Sequence, residues 1–230
     1  MYEAVHARPD GDSTAARLAL TAGEYGYDGV VLRNHGDALP EYDREAIVEK
    51  YGVDVVDGVE VRAEDPSRAS GFVGNHRADR TVVAVHGGTV AMNRFAVEQP
   101  PVDVLAHPMT GDGDVNHVMA KAAAENSVHV EFAFGRVLRA DGGVRVQAIR
   151  DLRKLREIVA AYDVPYVVSA DATSHLQLRA PRELLAIGEV LGFDAEQVRT
   201  GLAAWGDIAE RNRDRTGEDY LEPGVRREDR

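Results

Sequence analysis

Side chains that can bind a metal ion lie at or near the ends of most strands that the sequence predicts. Imidazoles and carboxylates that converge from several strand ends can hold Zn, Mn or Fe and activate a water molecule for hydrolysis. The alternative is that they bond to loop backbone, which for any single histidine is the commoner case. The candidates are His6, Asn34, His35, Glu60, His86, His107, Glu131 and Asp171.

A second group of candidates is basic, although the chain as a whole is acidic. Residues 144–156 hold five basic residues and one acidic residue. Arg guanidinium groups match the geometry of phosphate oxygens, so this segment is a candidate RNA-binding surface. A solvated helix face with an Arg153–Glu157 pair explains it equally well. The candidates, with those in flanking segments, are Arg136, Arg139, Arg145, Arg150, Arg153, Lys154, Arg156, Arg179, Arg182, Arg211 and Arg213.

Motifs for other chemistries are missing from the sequence. Ser169 and Ser174 lie near His175, but the chain has no Gly-x-Ser-x-Gly turn that would expose a nucleophile. The glycine pairs at 87–88 and 111–113 have neither P-loop nor dinucleotide-binding spacing. The sequence therefore predicts no catalytic residue for acyl or phosphoryl transfer.

Short apolar, β-branched segments alternate with amphipathic segments along nearly the whole chain. Seven such units without an antiparallel stretch favour a TIM-like β/α barrel, in which the strands' carboxyl ends form one mouth. The polar candidates would meet at that mouth. The predicted strands are Tyr2–Ala7, Gly29–Arg33, Val53–Val61, Thr81–His86, Val102–Ala106, Val128–Phe134 and Tyr166–Ser169. The predicted helices are Ser13–Tyr25, Glu41–Tyr51, Arg68–Arg77, Val90–Val97, Val115–Asn126, Val146–Tyr162, Arg182–Leu191 and Ala195–Arg211.

Two of these helices have clear buried faces. In the basic helix the expected buried stripe leaves the cations exposed; it consists of Ile149, Leu152, Leu155, Val159 and Tyr162. In the last helix Trp205 shares one face with Val198, Leu202 and Ala209, so we expect it in the core. We predict one domain, residues 1–212, followed by a charged, disordered tail, residues 213–230.

The composition limits the function classes further. The 230 residues include 39 acidic and 27 basic residues, giving a net charge of −12, and no cysteine, which excludes disulfides and thiolate metal sites. No apolar run approaches the roughly 18 residues that span a bilayer, so we predict a soluble, cytoplasmic protein.

The excess of acidic residues is explained better by adaptation to a salt-loaded cytoplasm than by genomic base composition alone. At molar salt the screening length is about 3 Å, so the net charge does not exclude RNA binding.

An ordered series of segments resembles the archaeal RNase P protein component 3 family. The similarity covers nearly the whole chain and weakens after about Arg215. It is carried by residues 26–35, 102–108, 130–132, 145–155, 167–170, 178–184 and 210–213.

The resemblance implies a TIM-barrel-like subunit of the ribonucleoprotein that removes the 5′ leader from precursor tRNA. It implies that the catalytic RNA uses the Mg²⁺, that this chain holds no cofactor, and that its partners are that RNA, component 2 and the other protein subunits. No catalytic residue carries over to this chain.

The family is related to the polymerase-and-histidinol-phosphatase (PHP) metal hydrolases, whose metal ligands are only half retained. The first histidine of their strand-one pair is Ala4, and their Asp-His after strand two is Asn34-His35. The late Asp-x-His ends at Thr173 instead. We interpret the site as vestigial, without a metal. The alternative is a stand-alone phosphoesterase, whose candidate ligands are His6, His35, Glu60, His107, Glu131 and Asp171.

Overall fold

The computed structural model describes residues 1–216, 220–222 and 225–226, with side chains up to residue 215. Seven parallel strands form one sheet whose spatial order follows the chain. They are β1 (Tyr2–Val5), β2 (Gly29–Leu32), β3 (Asp54–Val61), β4 (Val82–His86), β5 (Val104–Ala106), β6 (His129–Ala133) and β7 (Tyr166–Ser169). A separate antiparallel pair is formed by β8 (Tyr220–Glu222) and β9 (Val225–Arg226). The predicted β/α barrel is confirmed.

Helices follow the strands and pack around the sheet. They are α1 (Ala15–Glu24), α2 (Arg44–Tyr51), α3 (Pro66–Arg77), α4 (Val90–Val97), α5 (His117–Asn126), α6 (Gly135–Arg139), α7 (Gly142–Ala161), α8 (Pro181–Leu191) and α9 (Ala195–Thr216). Several begin at a side-chain cap, as at Asp43, Asp65 and Thr89, whose oxygens accept from backbone N–H groups of the first turn. None of the helices in the described part of the chain is long and apolar enough to cross a membrane.

Three sequence expectations need correction. No element is predicted between strand Val128–Phe134 and helix Val146–Tyr162, whereas residues 135–139 form the short helix α6 and α7 begins at Gly142, four residues earlier than expected. In α7 the buried stripe includes Ala148, whereas Ile149 and Tyr162 are only half-buried. The predicted tail begins too early, because α9 continues to Thr216 and Arg213 donates two hydrogen bonds to Asp54. Most of the remaining tail lies outside the described residues, so its disorder stays a prediction.

Helix α9 closes the end of the barrel opposite the mouth. It contacts the first residues of several strands: the Tyr166 hydroxyl donates to the Gln197 carbonyl, and Arg213 reaches Asp54 at the start of β3. Trp205, as expected, is fully buried, and it packs inside the barrel. The strand side chains around it are small or β-branched, which leaves room for the indole; they are Ala4, Val31, Val56, Val82, Ala84, Val104, Ala106 and Val167.

The seam between β1 and β7 is closed mainly by side chains rather than by a strand ladder. In the described structure it is crossed by two backbone hydrogen bonds, both beyond the strand ends: His6 N–H donates to the Ala172 carbonyl and Asp12 N–H donates to the Thr173 carbonyl. Farther from the mouth, Glu3 accepts from the Ala170 N–H at 2.9 Å, and the Trp205 indole N–H donates to the Val168 carbonyl at 3.0 Å. These bonds satisfy the free edge of β7, which would otherwise leave buried polar groups unpaired.

Glu3 is fully buried at this seam, and its carboxyl group also accepts from the Tyr27 hydroxyl at 3.2 Å. Burial raises the pKa of Glu3 to about 8, although the bonds from Ala170 and Tyr27 oppose the shift. The folded state therefore binds this proton more tightly than the unfolded chain does. By linkage, the contribution to stability is complete below the usual glutamate pKa and is lost as the pH rises through about 8.

We predict that Glu3→Gln removes this pH dependence, because a neutral amide keeps an acceptor for the Ala170 N–H. Between about pH 5 and pH 9 the wild type should lose on the order of 4 kcal/mol of unfolding free energy relative to the variant. Urea unfolding in molar KCl at several pH values measures the difference. Glu24→Gln, which changes an exposed carboxylate on α1, is the matched control. Parallel stability curves for the wild type and Glu3→Gln would contradict the assignment.

Candidate functional site

The strand ends bring the predicted metal-binding candidates together at the barrel mouth. His6 follows β1, Arg33-Asn34-His35 follow β2, and Glu60 lies near the end of β3. The later strands contribute His86, His107, Glu131 and Asp171. Asn34 differs from the rest, because its side chain bonds only to backbone of residues 7 and 38 and so holds the first two loops together.

The centre of the mouth is a buried guanidinium group. Arg33 is fully buried and forms a bidentate pair with Glu131, with Nη2 at 2.8 Å from Oε1 and Nη1 at 3.2 Å from Oε2. Its Nη1 also donates to Glu60 Oε2 at 2.7 Å, and its Nη2 lies 3.4 Å from Asp171 Oδ1. On the side of the barrel interior, the centre of the Trp205 ring lies 5.8 Å from the guanidinium carbon. Three carboxylates therefore share one permanent cation.

Arg33 keeps the buried carboxylates ionised. Burial by itself would raise the pKa of Glu60 and Glu131, but the guanidinium, helped by His107, holds both below the usual glutamate range. The same carboxylates raise the pKa of Arg33 despite its burial. Arg33 and the two glutamates are thus charged throughout the physiological range, and the guanidinium offsets part of the negative charge around it.

Four imidazoles form an arc beside this centre. The ring centres of His6, His35, His86 and His107 follow one another at 5.1, 5.7 and 4.8 Å. His86 Nδ1 lies 2.5 Å from Glu60 Oε1, whereas the Nε2 atoms of His35 and His107 are 3.6 and 3.7 Å from the same oxygen. Glu60 therefore faces Arg33 and His6 with Oε2, and the other three imidazoles with Oε1.

Asp10 orients two of these rings. Its Oδ2 lies 2.7 Å from His6 Nδ1 and 2.9 Å from His35 Nδ1, and it also accepts from the His35 backbone N–H. Burial alone would lower the pKa of His35, but Glu60 and Asp10 beside the ring raise it above its usual value. Burial opposes ionisation of Asp10, yet the two histidines hold its pKa below the usual aspartate range.

The residues do not fit the multinuclear metal site that the PHP resemblance implies. Every lone pair of Glu131 is occupied: Oε1 accepts from Ser169 Oγ and Arg33, and Oε2 accepts from Arg33 and the His107 N–H. Asp171 is committed to Arg33 on one oxygen and to Arg139 on the other. Among the residues that the structure describes, two three-residue groups have ligand atoms within 4.8 Å of one another, and both include His35; they are His6-Asp10-His35 and His35-Glu60-His86.

The predicted RNA-contacting residues fall into two groups at opposite ends of the barrel. Those on α6 and α7 follow β6 and belong to the mouth side. Arg211 and Arg213 lie at the other end, where Arg211 bonds to Asp103 and Arg213 to Asp54. Arg211 and Arg213 are therefore paired with carboxylates near strand starts, away from the mouth.

Several of these cations are already bonded within the chain. Arg139 donates to the carbonyls of Ala170 and Asp171, and Arg179 donates to carbonyls in its own loop. Lys154 pairs with Asp114 at 2.6 Å, and Arg153 donates to the Val190 carbonyl rather than forming the alternative pair with Glu157. The predicted exposure of Arg156 is wrong, because it is half-buried and packs against the Phe193 ring.

Within the residues whose side chains are described, four of the predicted cations are exposed and form no hydrogen bond or ion pair. They are Arg136, Arg145, Arg150 and Arg182. Arg136 also lines a cleft beside His107 and Asp171. Free guanidinium groups are thus concentrated on the part of the surface where β6 leads into α7.

Arg33 and Asp10 belong to the site but are not among the residues predicted from the sequence. The burial of Arg33 could have been predicted from side-chain alternation along β2. Alternation places its side chain on the same side as Val31, inside the barrel. The signal for Asp10 was its place four residues after His6 in the first mouth loop. A charged residue at the end of an apolar strand is usually the first exposed residue after it, so the apolar run by itself does not indicate that Arg33 is buried.

We predict that Arg33→Met costs about 3–5 kcal/mol of unfolding free energy at neutral pH, because it leaves Glu60 and Glu131 buried without their cation. The loss should shrink as the pH falls towards about 5, where the uncompensated carboxylates take up protons. Urea unfolding of both proteins across this pH range checks it. Arg182→Met, which removes an exposed guanidinium, is the control. A loss that is independent of pH would contradict the charge argument.

Comparison of the chain with known structures supports the fold. A chain in the cryo-EM structure of archaeal ribonuclease P with mature tRNA superposes with a TM-score of 0.85 at 23% identity, and the match covers 100% of this chain and 99% of the other. Histidinol phosphate phosphatase from Lactococcus lactis matches with a TM-score of 0.50 at 10% identity, covering 84% and 94% of the two chains. The barrel is therefore shared with both proteins.

Sequence relatives are named as one kind of subunit. Ribonuclease P protein component 3 of Haloarcula marismortui is 66% identical over 100% of this chain and 97% of the relative. The proteins of the same name from Halobacterium salinarum and Methanosarcina acetivorans are 51% and 38% identical, over 99% and 96% of this chain and 97% and 92% of the relatives. The relatives support the subunit hypothesis over a stand-alone phosphoesterase, and the haloarchaeal names support the predicted halophilic origin. The family described as RNase P subunit p30 also matches residues 1–216, and this chain belongs to it.

Proposed function

We propose that this RNase P subunit supports the catalytic RNA during removal of the 5′ leader from precursor tRNA, by binding RNA and a protein partner and without supplying a catalytic group. The Mg²⁺ of the reaction would be bound by the RNA. The proposed protein partner is component 2, together with the other RNase P proteins, in the cytoplasm. The name shared by the relatives supports this assignment.

The observation that carries the proposal is the set of unpaired guanidinium groups where β6 leads into α7. Arg136, Arg145 and Arg150 are exposed and have no acidic partner among the described residues. In a chain of net charge −12, an arginine without a nearby carboxylate is available to an external anion. Phosphate oxygens of a folded RNA suit the planar, five-donor guanidinium group.

The barrel mouth supports a structural rather than a catalytic role for its polar residues. Glu131 has no free lone pair, and Arg33 is fully buried beneath it. A carboxylate in this state cannot act as a general base, since its proton-accepting positions are occupied. The arrangement instead fixes the loops that present Arg136 and the first turns of α7 to a partner.

A reconstitution experiment tests the proposed function directly. Precursor-tRNA cleavage is measured at limiting Mg²⁺ in molar KCl, with RNase P RNA and component 2, in the presence and absence of this chain. We expect the chain to stimulate cleavage in the mixture and to have no activity alone. Inertness in the mixture, or metal-dependent phosphoester hydrolysis by the chain alone, would reject the proposal.

The RNA surface has a sharper test in the salt dependence of binding. In the Arg136→Ala, Arg145→Ala, Arg150→Ala triple variant we expect weaker binding to RNase P RNA. The slope of log Kd against log[KCl] should fall by about 1 for each RNA phosphate that is no longer neutralised, or roughly 2 to 3 in total. Binding titrations between about 0.5 and 2 M KCl measure it.

A matched control removes three other exposed arginines. The Arg17→Ala, Arg94→Ala, Arg199→Ala variant has the same change in net charge, but its substitutions lie on α1, α4 and α9. If this control and the α6–α7 triple variant lower the slope equally, net charge rather than a defined surface governs binding. An unchanged slope in the α6–α7 variant would remove this surface from the proposal.

A further inference from the structure

The Arg33 guanidinium occupies the position of a metal ion among metal-type ligands. It lies 2.7, 2.8 and 3.4 Å from oxygens of Glu60, Glu131 and Asp171, and it is fully buried. We propose that Arg33 is a built-in cation that replaces a divalent metal at the barrel mouth, and that without its guanidinium group the mouth binds one divalent transition-metal ion.

The bonds around Arg33 explain why metal is excluded while the arginine is present. A metal ion needs free lone pairs, and Arg33 takes two from Glu131 and one each from Glu60 and Asp171. A second cation would also share the Glu60 carboxylate with the guanidinium group at close range, in a site of low dielectric where like charges repel strongly. Occupied ligands and charge repulsion therefore act together.

Removing the guanidinium group reverses both conditions. Glu60, Glu131 and Asp171 each regain acceptor sites, and an uncompensated negative charge remains in a buried site. The imidazoles needed for a mixed nitrogen and oxygen site are already in place, because ligand atoms of His35, Glu60 and His86 lie within 4.8 Å of one another. The buried Nε2 of His35 has no hydrogen-bond partner in the described structure. Such a ligand set suits Zn²⁺ or Mn²⁺.

Two backbone features show that the mouth is held in a defined shape. His107 and Asp171 both have positive φ angles, 50° and 53°, which non-glycine residues rarely adopt. The His107 N–H is fixed by Glu131 at 3.2 Å, and Asp171 is fixed by Arg139 at 3.3 Å. Because neither contact involves Arg33, the ligands should stay close to their positions when the guanidinium group is removed.

The test compares metal binding by the wild type and Arg33→Ala in molar KCl, with ZnCl₂ and MnCl₂ as separate probes. After gel filtration, metal per chain is measured by mass spectrometry, and the thermal midpoint is measured with metal and with EDTA. We expect no retained metal in the wild type and one ion per chain in Arg33→Ala. At 100-fold excess over the Kd, the variant's midpoint should rise by about 5–10 °C.

Further variants show whether the metal occupies this position. Arg136→Ala removes a different arginine of the mouth with the same change in charge, and it should gain no metal. Adding His35→Ala to Arg33→Ala should abolish the gain. If Arg33→Ala does not fold, Arg33→Gln, which keeps a neutral hydrogen-bond donor, replaces it. One retained metal ion in the wild type, or none in a folded Arg33 variant, would overturn the proposal.

This inference does not depend on the proposed RNA surface, since its readouts are metal content and thermal stability. Failure of the cleavage reconstitution would leave the metal result unaffected, and the reverse also holds.

Discussion

The burial of one guanidinium group is the constraint on which the rest of the structure depends. A charge in a barrel interior is strongly destabilising unless paired charges and hydrogen bonds replace its water. Arg33 meets this condition with carboxylates from three other strands or their loops, Glu60, Glu131 and Asp171. The strand ends of β2, β3, β6 and β7 are thereby joined at one point.

The same residue connects the mouth to the opposite end of the barrel. Trp205 of α9 lies beneath Arg33, and its indole N–H bonds to the free edge of β7. The barrel has seven strands, and the two backbone hydrogen bonds that cross the β1–β7 seam in the described structure both lie beyond the strand ends. The side chains of Trp205 and Glu3 supply the hydrogen bonds that a strand ladder would otherwise form with the edge of β7. The Trp205 ring also gives the guanidinium group an aromatic surface on the side that lacks carboxylates.

The strands and most helices were predictable because their signals are local, whereas the site was predictable only in part. Apolar runs mark β3 and β4 within one or two residues of their true ends, because burial on both faces needs no information from elsewhere. Convergence of His6, Glu60 and Glu131 followed from the barrel rule that the strands' carboxyl ends share one face. The pairing of Arg33 with Glu131 joins residues 98 positions apart, and no local pattern specifies it. The α6 turn was missed for a related reason, since Arg139 is held there by Asp171 of a later loop.

An acidic protein can bind RNA if the binding contacts are short-ranged, because salt screens the long-range repulsion from its net charge. At molar salt, charges farther apart than about 3 Å hardly interact through solvent, so the net charge of −12 has little effect on an approaching phosphate. Direct guanidinium contacts survive this screening better than long-range attraction does. Arg33 offsets part of the charge of the mouth carboxylates and Arg139 pairs with Asp171, which weakens the negative field beside Arg136. Carboxylates that are paired inside the mouth and free arginines on the adjacent surface can therefore coexist in one acidic protein.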